Sequence, residues 1–301
     1  MLYLLYNTKK QAPWQIDYEN LYTKHLSVPF KVLNDRSNLD KLTENDILWI
    51  QHFSDIDTPE TRRCKARKMA QVNGTSVNQY IGAVDKKQES IEYNEILDIA
   101  LVFDSVMADT MKKVYPSVDF WSVGFPIPKP EFSGREKKKQ ICVAGRLDVF
   151  KNVNLDIWLT ENLRKDGYKL VICYPDKDVQ AEKVSLFKPG NLENVEFRRC
   201  NKDEWLDVAQ DSEFYLLASL DDVGSVSVRE AYYVGCYILV PNIADGIIRY
   251  PDYVNPIFEA FNRRGVEQLV KTKPRQTVDT DNIEPDKCVR RLEKYLNEKS
   301  L

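Results

Sequence analysis

The sequence predicts an α/β protein made of two doubly wound domains, each a parallel sheet covered by helices on both faces. Three observations carry this. Short apolar runs alternate with amphipathic stretches almost from end to end, the pattern of strand–helix–strand units whose strands are buried on both sides. That series breaks once, near 124–139, where prolines, glycines and then a charged run replace it. The length of 301 residues also exceeds one ordinary core, at roughly 100–200 residues per domain.

The elements follow in order. Leu2–Tyr6 is an apolar run with its lysines, Lys9 and Lys10, behind it. A secretory leader carries its charges in front, so the run reads as a buried strand. Phe30–Leu33, Ile47–Ile50, Ala100–Phe103 and Phe120–Val123 are strands of the same kind. Helical patterns lie between them at 59–72 and 105–115, the first with Thr58 as cap and Pro59 as first helical residue. In VGFPIPKPEFSGREKKKQ four prolines or glycines fall within eight residues and a charged run follows. The expected domains are therefore 1–129 and 140–285, joined by a linker at 130–139. The second series has strands at Gln140–Ala144, Lys169–Cys173, Val195–Arg198, Phe214–Ala218 and Tyr237–Pro241, with helices at 152–165, 203–210 and 226–235. Val289, Leu292, Tyr295 and Leu296 recur at helical spacing, so 286–301 should hold an amphipathic terminal helix. Ligands of such domains bind outside the carboxyl ends of the strands, and a hinge favours a cleft between domains, with the terminal helix packing back across it.

Composition excludes several classes. Lys and Arg number 43 against 46 Asp and Glu, for a net charge of −3, which excludes a polybasic nucleic-acid coat but not a local patch. No apolar run approaches the ~20 residues that cross a bilayer, so a cytoplasmic protein without a transmembrane anchor is expected. Cys64, Cys142, Cys173, Cys200, Cys236 and Cys288 form no Cys-x-x-Cys and mostly sit in apolar runs, as reduced core residues do. His25 and His52 are the only histidines, too few for a His-rich zinc site, and no metal is expected. The first glycine is Gly74, whereas a dinucleotide fingerprint needs several directly after the first strand. An N-terminal nicotinamide or flavin domain is excluded.

Two clusters carry chemistry. In the first, a strand ends at Gly145, and Arg146, Leu147, Lys151 and Asn152 follow just before a helix. Arginine can chelate a phosphate through two parallel hydrogen bonds and lysine adds a compact charge, so the pair fits a diphosphate. In the second, Ser219-Leu220-Asp221-Asp222-Val223-Gly224-Ser225-Val226 leads from a strand into a helix. The free amides and dipole of that helix start attract an anion near Gly224, Ser225 and Val226. Glu230, about one and a half turns on, can accept two hydrogen bonds from a ribose diol. Each cluster alone also fits an ordinary solvated helix start.

Together, in this order, the clusters resemble the retaining, nucleotide-sugar-dependent glycosyltransferases of the GT-B fold. That family has Gly-Arg-Leu with a downstream Lys-Asn or Lys-Gly, matched by Gly145, Arg146, Leu147, Lys151 and Asn152. Its strand ending in Pro-Ser, two residues, Glu, seven residues, Glu-Ala is matched by Ala218, Ser219, Asp222 and Glu230-Ala231. The following strand appears as Gly235-Cys236-Tyr237-Ile238-Leu239, and Asn194, Val195 and Phe197 match the one between the clusters. The likeness is specific over 140–250. In the first half, Asp46-Ile47-Leu48 through His52 resembles the family's Asp-Val-Val-x-x-His strand with one extra residue, Ser105 takes a serine position, and Gly124 matches a hinge glycine. Three positions depart. Asp222 replaces a glutamate and reaches about 1.5 Å less far, Val223-Gly224-Ser225 replaces Gly-Phe-Gly, and Asn7–Trp14 lacks the usual glycines.

The resemblance implies transfer of a sugar from a nucleoside diphosphate sugar, UDP-sugar first, to a hydroxyl acceptor, with no cofactor. It implies that Arg146 and Lys151 face the diphosphate, Glu230 the ribose, Asp222 the sugar hydroxyls, and His52 the sugar from the acceptor side. One feature stands outside it: Arg62, Arg63, Lys65, Arg67 and Lys68 put five cations into seven residues of the helix expected at 59–72. A solvated face is one reading. The other is a polyanionic acceptor, such as hydroxymethylated DNA (the substrate of phage-type GT-B enzymes) or a phosphorylated lipid head group. Glycans and small molecules remain acceptors, and a non-catalytic sugar-nucleotide binder is the alternative outside enzymes. An epimerase on this fold would need more acids and histidines.

Overall fold

The structure is a computed structural model describing residues 1–6, 20–51, 55–71, 96–103, 105–145, 147, 151–175, 192–219, 226–242 and 254–299. The chain divides into two units, one formed by Met1–Pro128 with Asp281–Leu301 and the other by Lys129–Thr280.

In the first unit six parallel strands are β1 (Leu2–Leu5), β2 (Phe30–Leu33), β3 (Ile47–Ile50), β4 (Arg67–Gln71), β5 (Ile99–Val102) and β6 (Asp119–Ser122). Their order is β2-β1-β3-β4-β5-β6, so the direction of winding reverses between β1 and β3. Every residue of β3 and β5 is in the core, as expected of these runs. Strand β2 corrects the reading of Phe30–Leu33 as a buried strand: it is the edge strand, with Phe30 and Leu33 half-buried and Lys31 and Val32 exposed. The segment 59–72 corrects the sequence expectation. Thr58 does cap a helix, accepting from the Thr61 N–H, and Pro59 does open it, but α1 (Pro59–Arg63) stops after five residues. Cys64 is extended, and Arg67–Gln71 pairs with both β3 and β5. The buried pair Met69 and Ala70 gains more inside a sheet than on one side of a helix turn, and pairing overrides local propensity. Helix α2 (Ser105–Val114) then leads to β6.

The second unit repeats the theme. Strands β7 (Lys138–Ala144), β8 (Lys169–Tyr174), β9 (Val195–Arg199), β10 (Ser212–Leu216) and β11 (Tyr237–Leu239) form a parallel sheet in the order β11-β10-β7-β8-β9. Helices α3 (Val153–Lys165), α4 (Lys202–Asp211) and α5 (Val226–Tyr233) connect them. Helix α4 starts at a full capping box, Asn201 with Glu204. Beyond the sheet, β12 (Pro241–Asn242) pairs with β14 (Phe258–Glu259), and β13 (Val254–Asn255) pairs with β15 (Thr277–Val278) around α6 (Arg263–Thr272), a helix the sequence reading did not single out. Two apolar layers flank the sheet. One gathers Cys142, Val171, Trp205 and Tyr215, the other Ile141, Ile157, Leu163 and Phe214. All six cysteines are free and buried.

One lysine holds two helices of this unit. The Lys137 ammonium donates to the carbonyls of Ala209 (3.2 Å) and Val234 (2.7 Å), at the carboxyl ends of α4 and α5, where carbonyls lack helical partners and the dipole is negative. Lys137→Met keeps the stem and removes both bonds. It should cost about 1.5–3 kcal/mol, the range for hydrogen bonds to charged groups, measured as a lower urea midpoint with unchanged m-value.

The chain ends by returning to the first unit. Phe125 and Ile127 donate to the carbonyls of Asn282 and Ile283, and helix α7 (Pro285–Glu298) buries Val289, Leu292, Tyr295 and Leu296. Tyr295 stacks on Trp121 of β6 at 4.7 Å and donates to Asp119. Among the described residues no helix is long and apolar enough to cross a membrane.

Candidate functional site

Strand order locates the site of the second unit. The winding reverses between β7 and β10, which pair in parallel through Phe214–Ile141 and Tyr215–Cys142. Their carboxyl ends therefore lie side by side, and this switch point is where doubly wound sheets bind ligands. The chain leaves β7 at Gly145 and leaves β10 toward Ala218 and Ser219. Both sequence clusters thus start from one edge of one sheet.

On the β7 side, Gly145 extends the sheet by donating to the Cys173 carbonyl at 3.1 Å. The Lys151 side chain lies along its α-carbon: a Cβ at Gly145 would stand 3.3 Å from Lys151 Cδ and 3.4 Å from Cγ. Glycine thus leaves room for the lysine stem. Asn152 has a left-handed backbone, φ 50° and ψ 47°, which asparagine and glycine adopt most readily. Its carbonyl accepts from the N–H groups of Leu155 and Asp156 and opens α3.

On the β10 side, Val226 is the half-buried first residue of α5. Tyr215 and Ser227 share a hydroxyl–hydroxyl bond of 2.7 Å that ties the first turn of α5 to β10. Glu230 is 5% exposed, so it is not a surface glutamate. Its Oε2 accepts from Trp205 Nε1 at 3.2 Å, and its Oε1 lies 3.5 Å from Lys202 Nζ. Both partners sit on α4, and Trp205 also meets the Tyr215 ring edge-on. The sequence reading missed Lys202 and Trp205; the capping box before them was the signal that a fixed helix face begins there.

It also missed Asp156. This aspartate is fully buried in the first turns of α3, and its Oδ1 accepts from the Ala218 N–H at 3.2 Å. Burial pushes its carboxyl well above the usual carboxylate range, while the Ala218 N–H and the charge of Lys151 pull the other way. The clue in the sequence was an acid three residues after Val153 and one before Ile157, on the apolar face of the helix.

His52, Arg146, Asp222, Gly224 and Ser225 lie outside the described residues.

The basic cluster does not form the helix face expected of it. Arg62 and Arg63 end α1, and Arg62 pairs with Asp57 at 2.5 Å. Arg67 and Lys68 are half-buried on β4, level with Ile47 and Leu48 at the start of β3. They lie at the amino end of the parallel sheet, opposite the end from which the chain runs on to His52. Strand pairing scatters the five cations, so the argument for a DNA-gripping helix falls. Among the described residues no three His, Cys, Asp or Glu side chains come together as a metal site.

No protein-family model matches the sequence, and no curated protein is significantly similar to it. Solved structures do resemble it. Staphylococcus aureus TarM, crystallised with fondaparinux, α-GlcNAc-glycerol and UDP, is 16% identical over 86% of this chain at a TM-score of 0.59, and this chain spans only 53% of that one. The lipopolysaccharide outer core galactosyltransferase WaaB, in its apo form, is 12% identical with 99% of each chain covered, at 0.65. A trehalose-6-phosphate synthase studied for glycosyl transfer with retention is 11% identical over 99% of this chain and 95% of its own, at 0.60. At such identities the shared property is architecture, and the chain has the fold of the GT-B glycosyltransferases.

Proposed function

We propose that this protein is a retaining glycosyltransferase that moves a sugar from a nucleoside diphosphate sugar, UDP-sugar in the first instance, to a hydroxyl acceptor. The carrying observation is that Gly145 and Ala218 follow the carboxyl ends of neighbouring parallel strands at the switch point of the second sheet, on a fold shared with sugar transferases. UDP in the staphylococcal structure supports the choice of donor. Retention is supported by the synthase likeness.

When the bond between the anomeric carbon and the diphosphate breaks, its electron pair moves onto the leaving phosphate oxygen. Arg146, Lys151 and the amides at Ser225 and Val226 stabilise that charge, a preorganised electrostatic effect of about 2.7–4 kcal/mol per donor. Glu230 accepts from the ribose hydroxyls, and Trp205 and Lys202 hold it for that task. Asp222 accepts from the donor sugar, and His52 contacts the sugar being transferred. The acceptor is a glycan, lipid or small-molecule hydroxyl, and the cations do the work a metal does in other transferases. The six free cysteines support a reducing compartment, the cytoplasm.

A thermal-shift screen of nucleoside diphosphates and their sugars, with EDTA present, tests this. UDP at 100 times its dissociation constant should stabilise the fold by about 2.7 kcal/mol, and the matching UDP-sugar should be turned over in the same buffer. A screen in which no nucleoside diphosphate raises the melting temperature would sink the proposal. Turnover lost in EDTA and restored by manganese would remove its metal-free part. Binding without turnover would favour a sugar-nucleotide binder, the reading that Asp222 in place of glutamate recommends.

A further inference from the structure

We infer that Asp156 is a positioning residue that ties the first turns of α3, just after Lys151, to Ala218 beyond the carboxyl end of β10, and so holds Lys151 in place for the donor phosphates. This rests on the donor site proposed above.

The inference starts from cost. Asp156 has no exposed surface and sits among Val153, Ile157, Leu159 and Leu163, all buried. Its Oδ1 has one partner, the Ala218 N–H, and its Oδ2 has no hydrogen-bond partner among the described residues. A buried polar atom left unsatisfied lowers stability, and the unpartnered Oδ2 brings that cost to a helix face that is otherwise apolar. The acid is therefore not explained by packing.

Its contacts explain it. Leu217 still donates to the Leu239 carbonyl and so belongs to the sheet. The next amide, of the fully buried Ala218, is given to Asp156 instead. Ser219, also buried, then begins the loop that carries Asp222, Gly224 and Ser225. At its other end Asp156 belongs to the first turns of α3, and its own N–H is held by Asn152, the residue after Lys151. The charge of Lys151 reaches its carboxyl. One side chain thus spans the gap between the two segments that leave β7 and β10. Without it, the buried Ala218 amide loses its acceptor. Preorganised groups bind a developing charge well because they need not reorganise, and a latch of this kind supplies that rigidity.

The test uses the full chain, with ligand-free melting temperature and UDP affinity by calorimetry as separate readouts. Asp156→Leu leaves the buried Ala218 N–H without its acceptor, so it should lower the melting temperature by several degrees. At a temperature where the variant is fully folded it should weaken UDP tenfold or more. Asp156→Asn, whose Oδ1 can still accept from Ala218, should stay within about threefold of wild type, each tenfold step being about 1.4 kcal/mol. A tenfold loss of UDP affinity measured on fully folded protein, restored by asparagine, is a pattern that a purely structural role does not produce. Should the leucine variant not fold, Asp156→Ala removes the carboxyl without adding bulk and is read for UDP affinity in the same way. A leucine or alanine variant that binds UDP like wild type overturns the latch and leaves the donor site standing. An asparagine variant as weak as leucine overturns it too. Wild-type protein that binds no nucleoside diphosphate overturns the donor site and the latch together.

Discussion

Replacing Lys151 with alanine is expected to lower kcat/KM for the donor by about 10²–10³, the loss typical of one preorganised donor to a developing negative charge. A Cβ at Gly145 would stand 3.3–3.6 Å from the lysine stem, which places Lys151 against the chain just beyond the carboxyl end of β7, the strand beside β10. UDP affinity should fall at least tenfold, about 1.4 kcal/mol, while the melting temperature of the free protein hardly moves. Arg146→Ala should behave the same way, because in the proposed function guanidinium and ammonium neutralise the same leaving group. Arginine at 151 should rescue poorly: a planar fork does not replace a compact charge on a slim stem packed against glycine. Steady-state kinetics with calorimetry decide the matter. UDP affinity and kcat/KM both within threefold of wild type in the two alanine variants would dismiss the assignment of this loop to the diphosphate.

Gly124→Ala is expected to be the most damaging small substitution in the first unit. Gly124 has φ +86°, and a Cβ there would stand 2.5 Å from the Asn282 carbonyl oxygen and 2.8 Å from Cys288 Sγ. The oxygen is main chain and accepts from Phe125 at 2.7 Å, so it cannot retreat without breaking the segment that brings α7 home. Overpacking costs about 1–3 kcal/mol, and a left-handed backbone with a Cβ adds about 1–2. A total near 3 kcal/mol corresponds to a fall of roughly 6–12 °C in the melting temperature of a unit this size. Gly134→Ala is the control. Its φ is +66°, but nothing lies within 4 Å of the added carbon, so only the backbone penalty of about 1–2 kcal/mol should appear. Equal losses in the two variants would show that the Asn282 contact is not what glycine protects.

The secondary structure that repeats within a few residues was legible in the chain alone. Ile47–Ile50 and Ala100–Phe103 read as buried strands, and the structure has strands at Ile47–Ile50 and Ile99–Val102. Val289, Leu292, Tyr295 and Leu296 could only be one face of a helix, and Thr58 with Pro59 announced a helix start. The Gly145–Lys151 and Ser219–Glu230 segments were visible too, because the residue types that hold a phosphate sit close together along the chain. Position within the fold was not visible. Arg67 and Lys68 read as the continuation of a helix, and only pairing with β3 and β5 turned them into a strand and moved them to the amino end of the sheet. Glu230 read as a ribose acceptor with no partners named until α4 brought Trp205 and Lys202 against it, and Asp156 did not stand out until β10 delivered the Ala218 amide. Side-chain periodicity is a local property, set by 3.6 or 2 residues per repeat, and the sequence therefore determined the elements and the chemistry of each loop. Which end of a sheet a residue reaches, and which distant partner desolvates or satisfies it, depends on strand register and packing between segments far apart in the chain, and those only the tertiary structure decided.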